Sequence, residues 1–283
     1  METTEPSHRL TIDAVRAMKG RAAPIVMVTA YDFATAQVAE QAGVDLILVG
    51  DSAAMVVLGY ESTRVVSVEE MLMLTRAARR GAPASLLIGD LPFGTYERSN
   101  ELAVTTARRF TEAGCNAIKM EGGGATVDRA RAVIAAGIPV MGHVGLTPQQ
   151  TGDREGFRVH GRTAAGAREI IADALALDAA GCFAIVAEAM PTPVARAVTG
   201  KTRAPVIGIG AGPETDGQVL VFHDLVGLYD AHVPRYVKRY AELKAVMIEA
   251  VRRYAVEVRA RTFPGPEHVY RMEAGEEEKL AGS

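Results

Sequence analysis

Features that mark secreted, membrane-spanning or nucleic-acid-binding proteins are scarce in this sequence. Its two cysteines, Cys115 and Cys182, are too few for a disulfide framework, and each begins an apolar run, where a reduced thiol packs as a small apolar group. No run approaches the roughly 20 apolar residues of a membrane span, and Met1 to His8 lacks the apolar centre of a signal peptide. The 31 basic and 34 acidic residues nearly balance, without a basic patch for nucleic acid. These absences predict a cytoplasmic protein with no membrane or nucleic-acid partner.

Nucleotide-binding motifs are also missing. There is no Walker lysine motif, and the glycines in Gly208-Ile209-Gly210-Ala211-Gly212 follow a late apolar run, whereas a dinucleotide fingerprint follows the first strand. Binding of a nucleotide or NAD is therefore not predicted. Glycines at this point of a barrel bind phosphate through backbone N–H groups, or they allow a tight turn or a close approach of the chain. The sequence leaves both interpretations open.

Apolar runs separated by amphipathic segments dominate the chain. They are continuous rather than alternating, which is typical of parallel strands buried on both faces. Several follow a helical segment that stops at glycine, the usual left-handed cap. Eight such runs in 283 residues predict an α/β fold, a single-domain (β/α)8 TIM barrel over 1–283. The predicted strands are 25–29, 45–49, 85–89, 116–120, 138–142, 183–187, 205–209 and 218–222.

The C-terminal part departs from this repeat. Apolar and aromatic residues at three- and four-residue spacing predict one helix over 233–261, ended by the Pro-Gly-Pro sequence at 264–266. Its apolar stripe either packs on a neighbouring subunit or covers the protein's own barrel, and we expect a homo-oligomer. The acidic segment 272–283 is expected to be a mobile tail, and 1–8 a short polar segment before the barrel.

Acidic residues follow the apolar runs where parallel strands end. Asp51, Asp90 and Glu121 close the second, third and fourth runs, which are neighbours in a barrel. Three converging carboxylates repel one another unless a cation lies between them, and Mg²⁺ accepts one or two carboxylates together with water and substrate oxygens. The pattern predicts a divalent-metal site. The alternative is that each acid caps a helix or lies in a surface loop.

Two residues beside these acids are candidate ligands for a substrate carboxylate. Lys119 precedes Glu121 by two residues, so both side chains lie on the same face of a strand. Its ammonium either binds an anionic substrate or only balances the acids. Ser52 follows Asp51 in a turn, where its hydroxyl or backbone N–H can bind a carboxylate.

Glu188 and His143 are the candidate proton-handling residues. Glu188 ends the sixth run between two alanines, and an apolar setting raises the pKa of a carboxyl group, which suits a general base. The alternative is a structural hydrogen bond at the strand end. His143 ends the fifth run, where it either contacts a substrate oxygen or supports other site residues from behind.

Motifs along nearly the whole chain resemble those of the ketopantoate hydroxymethyltransferase family in order and spacing. The principal matches are Thr29-Ala30-Tyr31-Asp32, Gly50-Asp51-Ser52, Asp90-Leu91-Pro92-Phe93-Gly94, Lys119-Met120-Glu121-Gly122-Gly123, Gly142-His143-Val144-Gly145-Leu146-Thr147-Pro148-Gln149 and Phe263-Pro264-Gly265-Pro266-Glu267-His268.

This resemblance implies a barrel of the phosphoenolpyruvate/pyruvate superfamily, often a ring-shaped decamer, that acts in pantothenate and coenzyme A synthesis. It implies Mg²⁺, or another divalent cation, and 5,10-methylenetetrahydrofolate as co-substrate with a 2-oxo acid, 3-methyl-2-oxobutanoate. Matched by position, the metal-associated acids are Asp51, Asp90 and Glu121, the oxo-acid ligands include Ser52 and Lys119, and the base is Glu188.

Some positions depart from the family pattern without touching these acids. They are Ala53-Ala54, Arg64-Val65, Leu74 and the charged segment 150–155, and they bear on the choice of oxo acid and on the folate contact. One alternative is a Mg²⁺-dependent lyase or aldolase of the same superfamily acting on another 2-oxo acid. Another is a catalytically silent paralogue that binds an oxo acid or serves in assembly, although a silent barrel has no use for a costly acid cluster.

Overall fold

Eight parallel strands close into a barrel in the order in which they occur along the chain. The structure is a computed structural model that describes residues 10–151, 159–230 and 233–281. The expectations for segment 1–8, for residues 152–155 and for the end of the tail at 282–283 therefore lie outside the described residues. The strands are β1 (Ile25–Thr29), β2 (Leu46–Val49), β3 (Leu86–Asp90), β4 (Ala117–Glu121), β5 (Val140–Gly145), β6 (Ala184–Glu188), β7 (Val206–Ile209) and β8 (Gly217–Leu220).

The predicted barrel is confirmed, and its strands begin and end close to the apolar runs. Alternate residues of each strand face two separate cores: Leu46 and Leu48 of β2 point into the barrel, whereas Ile47 and Val49 pack under the helices. Both sets are buried, which is why the runs are continuous in sequence.

Helices alternate with most of the strands. Several begin at a side-chain cap, such as Asp32 before α2 and Ser67 before α4, and α8 ends at Gly181 in the left-handed conformation that the sequence predicted. The helices are α1 (Ile12–Arg16), α2 (Phe33–Gln41), α3 (Ala53–Val56), α4 (Val68–Gly81), α5 (Asn100–Glu112), α6 (Ala125–Ala135), α7 (Pro148–Thr151), α8 (Ala164–Ala180), α9 (Thr192–Lys201), α10 (Phe222–Leu225), α11 (Leu243–Arg259) and α12 (Glu276–Ala281).

The C-terminal helix starts later than the sequence predicted. Residues 233–242 are irregular apart from a turn at 235–236 and a bend at Tyr240, and the helix begins at Leu243, so the start expected at Val233 was wrong. Tyr236, assigned to the helical stripe from its spacing, instead packs against Gly210 after β7. The acidic tail, expected to be mobile, contains the short helix α12.

No residue of α11 is buried, and its surface is rich in apolar side chains. The barrel wall is also open at one place: Val26 on the outer face of β1 is 51% exposed, although the outer residues of β2 and β3 are buried. Within the described residues, no helix is long and apolar enough to cross a membrane. Cys115 and Cys182 are buried free thiols.

Candidate active site

The carboxyl ends of the strands surround a cavity of about 120 Å³. A cavity of this size admits several water molecules or one small organic acid. The seven site residues expected from the sequence all line it or contact its lining, and apolar side chains such as Val186, Ile209 and Val219 form much of its wall. The lining includes Asp51, Ser52, Asp90, Lys119, Glu121, His143 and Glu188.

Asp51 and Asp90 are adjacent buried acids. The backbone N–H of Asp51 donates to Oδ2 of Asp90 over 3.2 Å, because the turn after β2 lies beside the end of β3. Burial, and then the charges of Asp90 and Glu121, raise the pKa of Asp51 well above its usual range. Burial also raises the pKa of Asp90, with Lys119 opposing this effect.

Lys119 is the buried cation of this group. Its Nζ lies 2.6 Å from both carboxylate oxygens of Asp90 and 3.6 Å from Oε1 of Glu121. Burial favours the neutral amine, but the charges of Asp90, Glu121 and Asp51 outweigh it and raise the pKa of Lys119. The side chain is therefore an ammonium ion that faces the cavity beside Asp90.

His143 lies between the acid at the end of β4 and the acid at the end of β6. Its Nδ1 is 3.2 Å from Oε1 of Glu121, and its Nε2 is 3.2 Å from Oε2 of Glu188. Burial lowers the pKa of His143, but the charge of Glu121 and the closeness of both carboxylates outweigh burial and raise that pKa to about 9. Burial opposes ionisation of Glu121, yet His143 and Lys119 hold its pKa below the usual value. Glu188 therefore lies beside the charged His143 ring, whereas the sequence predicted apolar surroundings for it.

Backbone conformation brings Glu188 close to β5. Gly145 has φ +99°, and a Cβ there would lie 2.2 Å from the Glu188 carbonyl oxygen. Ala189, directly after Glu188, also adopts a left-handed conformation, with φ +46°, which is uncommon for a residue with a side chain. The end of β6 is therefore held in an unusual shape at the proposed base.

Ser52 is fixed by a residue to which the sequence assigned no role. The hydroxyl groups of Tyr31 and Ser52 lie 2.8 Å apart, and Tyr31 is completely buried. Burial raises the pKa of Tyr31, so the phenol stays protonated. Its hydroxyl holds the Ser52 side chain in place beside Asp51.

The donors at Asp51 and Asp90 fit a divalent cation. Both are hard oxygen ligands, and Mg²⁺ commonly uses one or two carboxylates. Asp51 is buried, and in the described part of the chain it forms no ion pair with a Lys, Arg or His. A bound cation would therefore favour the ionised carboxylate of Asp51, which the neighbouring acids oppose. Over the same ranges, no three His, Cys, Asp or Glu residues are arranged as a metal site. Water and substrate would therefore complete the coordination.

Sequence reasoning also missed Gln149, Tyr96 and Tyr236. Gln149 and Tyr96 bind the acids by hydrogen bonds, and Tyr236 lines the cavity. The resemblance had included Gln149 only as the end of a motif. Gly210 has φ +63°, and its missing Cβ would lie 2.5 Å from the Tyr236 ring, so the close-approach interpretation of this glycine is supported.

The departures from the family pattern that the structure describes before β3 lie outside the cavity lining. The Arg64 guanidinium stacks 4.1 Å from the ring centre of Phe93, and Leu74 is buried in α4. None of Ala53, Ala54, Arg64, Val65 and Leu74 belongs to the described lining.

Comparison with known proteins shows the family. The model for ketopantoate hydroxymethyltransferase matches residues 9–266. The chain belongs to the ketopantoate hydroxymethyltransferase family. It is 48% identical over 288 residues to the 3-methyl-2-oxobutanoate hydroxymethyltransferase of Oleidesulfovibrio alaskensis, and the match covers 100% of this chain and 99% of that protein.

Solved structures of more distant proteins share the fold of this family member. Phosphonopyruvate hydrolase, in a complex with oxalate and Mg²⁺, matches with a TM-score of 0.60 and 16% identity, covering 95% of this chain and 96% of that one. The 2,3-dimethylmalate lyase, a PEP mutase/isocitrate lyase superfamily member, matches with a TM-score of 0.58 and 16% identity, covering 95% and 92%. At this identity the likeness shows the barrel architecture and nothing about substrate.

Proposed function

We propose that this protein transfers a hydroxymethyl group from 5,10-methylenetetrahydrofolate to 3-methyl-2-oxobutanoate, giving ketopantoate for pantothenate and coenzyme A synthesis. The observation that carries the proposal is one small cavity that combines two buried aspartates, a buried ammonium and a glutamate on the opposite wall. The Oleidesulfovibrio alaskensis relative, a 3-methyl-2-oxobutanoate hydroxymethyltransferase, supports the same reaction. In this proposal the folate binds at the mouth of the cavity and presents its one-carbon unit to the oxo acid bound inside.

The oxo acid is bound by polar groups on one side of the cavity and apolar groups on the other. The Lys119 ammonium and the Ser52 hydroxyl, held by Tyr31, bind the substrate carboxylate. Val186, Ile209 and Val219 contact the branched alkyl group and exclude water from it.

Asp51 and Asp90 would hold the divalent cation, and Glu121 adds a third negative charge beside them. A bound cation would supply Lewis-acid chemistry that makes the C3–H of the oxo acid more acidic. Lys119 contributes positive charge to the same side, where negative charge develops as the proton leaves.

Glu188 is the base. Its carboxylate takes the C3 proton, which leaves a carbanion. Water hydrolyses the two C–N bonds that hold the methylene carbon, which releases tetrahydrofolate and leaves that carbon as formaldehyde. The carbanion then forms a bond to the formaldehyde carbon, and the oxygen takes up a proton to become the hydroxyl group of ketopantoate. His143, 3.2 Å from Oε2 of Glu188, keeps the carboxylate oriented towards C3.

The test is a proton NMR time course in D₂O with 3-methyl-2-oxobutanoate, methylenetetrahydrofolate and Mg²⁺, repeated with EDTA. We expect metal-dependent loss of the C3 proton signal together with ketopantoate formation. Exchange without product would show that the site forms the enolate but that methylenetetrahydrofolate is not the co-substrate, as expected for a lyase or aldolase. The absence of both proton exchange and ketopantoate would contradict the proposal, and it would favour another oxo acid or a silent paralogue.

Self-association through α11 is the second part of the proposal, with a second copy of this chain as the partner. The helices that follow the strands of a barrel normally cover its wall. The long helix after β8, α11, buries none of its residues, and Val26 on the outer face of β1 stays exposed. A second copy supplies an apolar surface for both. Val246, Met247, Val251 and Tyr254 provide the apolar side chains on α11.

A further inference from the structure

Gln149 joins the acids that follow β2 and end β4, and the chain just after β3, although it comes from the connection after β5. It lies in the short helix α7, and its side chain is fully buried. Its Nε2 donates to Oδ2 of Asp51 over 2.9 Å and to the carbonyl oxygen of Leu91 over 3.0 Å. Its backbone N–H donates to Oε2 of Glu121 over 3.0 Å.

Tyr96 fixes which way the Gln149 amide points. The Tyr96 hydroxyl accepts from the Glu121 backbone N–H over 3.2 Å and donates its single hydrogen to Oε1 of Gln149 over 2.8 Å. The amide NH₂ therefore faces Asp51 and Leu91. The flipped amide would place Oε1 against two acceptors and lose the bonds to both Asp51 and Leu91.

We infer that Gln149 is a positioning residue for the divalent cation, acting through Asp51 and Glu121. By binding Oδ2 of Asp51, the amide sets the rotation of that carboxylate and leaves Oδ1 as the oxygen for the cation. It does so without adding charge, whereas Lys119 competes with a cation for Asp90. This inference rests on the proposed cation site at Asp51 and Asp90.

The test is Mn²⁺ binding by the full chain, measured by electron paramagnetic resonance without oxo acid or folate. Gln149→Met keeps the side-chain length and the backbone N–H but removes the amide. We expect it to bind Mn²⁺ about 10- to 100-fold more weakly than the unchanged protein, as is typical for partners behind metal ligands. The matched control is Gln218→Met, because Nε2 of Gln218 also donates two hydrogen bonds, to Gly212 and Thr215, away from the acids.

A second variant and a second measurement separate positioning from folding. Tyr96→Phe keeps the aromatic ring but removes the hydroxyl that holds the Gln149 amide. It should therefore also weaken Mn²⁺ binding, but by a smaller factor than Gln149→Met does. This variant decides the question if Gln149→Met does not fold. In both variants, excess Mg²⁺ should restore turnover, which a loss of structure alone would not allow.

The outcomes distinguish this inference from the proposed function. Equal Mn²⁺ affinity in the folded Gln149 and Tyr96 variants and in the unchanged protein would overturn the role of Gln149 and leave the proposed reaction standing. Absence of Mn²⁺ binding by the unchanged protein, both without the oxo acid and after it is added, would overturn both the inference and the proposed function. Weakened binding in the Gln218→Met control would also overturn it, because the loss would not depend on contact with Asp51.

Discussion

Nε2 of His143 lies 3.2 Å from Oε2 of Glu188, and Nδ1 of the same ring lies 3.2 Å from Oε1 of Glu121. Because both ring nitrogens face carboxylates and the pKa of His143 is raised to about 9, the ring carries both hydrogens at neutral pH. Of the two roles considered from the sequence, contact with substrate or support from behind, these distances favour support. His143 thereby connects the proposed base to the acids near the cation.

Replacing Glu188 tests the base directly. Glu188→Gln keeps the shape of the side chain but cannot accept the C3 proton, so we expect exchange of that proton in D₂O to slow by about 100- to 10,000-fold. Mn²⁺ binding should stay near normal, because Glu188 lies on the wall across from Asp51 and Asp90. NMR exchange rates with 3-methyl-2-oxobutanoate measure the effect.

Glu214→Gln is the control for the Glu188 prediction. Glu214 is paired with Arg196 on the surface, so this variant makes the same chemical change outside the cavity and should exchange the proton normally. A Glu188→Gln protein that exchanges C3–H at an unchanged rate would remove Glu188 from the role of base.

Lys119 is expected to be essential for stability as well as for substrate binding. Lys119→Met leaves Asp90 buried without its cation, which typically costs about 3–5 kcal/mol and lowers Tm by roughly 6–15 °C in a protein of this size. Mg²⁺ should raise the Tm of this variant more than that of the unchanged protein, because Asp90 no longer binds the ammonium. Calorimetry with and without MgCl₂ measures both effects.

The Lys119 prediction also has a matched control. Lys244 pairs with Asp230 over 2.7 Å on the surface, so Lys244→Met should cost about 0–1 kcal/mol. A similar loss in the free energy of unfolding for the two variants would show that the buried Lys119–Asp90 pair stabilises the protein no more than a surface pair does.

The fold could be predicted from the sequence because each signal is local. Continuous apolar runs predicted strands that are buried on both faces. The acids directly after these runs lie at one cavity, because parallel strands end on the same side of a barrel. Gln149 could not be assigned a role in this way, because its contact with Asp51 joins residues 98 positions apart. Tyr236 was misplaced because its spacing fits a helical stripe, whereas tertiary packing against Gly210 holds it in a turn.

Both cysteines should be unreactive in the folded protein. Burial raises the thiol pKa of Cys115 and that of Cys182 to about 12, so very little thiolate forms at pH 8. As pH rises from about 9 to 12, the unfolded thiols ionise while the folded ones do not, so these groups favour unfolding over that range. A thiol reagent such as DTNB should detect no rapid reaction at pH 8 and two thiols in guanidinium chloride. Fast labelling of native protein would contradict this.

The exposed apolar face of α11 predicts an assembly that a single charge can break. Val251 is 67% exposed in one chain, and in the proposed assembly it is covered by a second copy, so Val251→Lys would bury an unpaired ammonium at the interface. We expect light scattering after size exclusion to show a multimer for the unchanged protein and smaller species for this variant. Leu175→Lys, which alters an exposed leucine of α8, is the matched control and should leave the mass unchanged. A monomer at micromolar concentration for the unchanged protein would contradict self-association, and an intact multimer in Val251→Lys would place the contact on another surface.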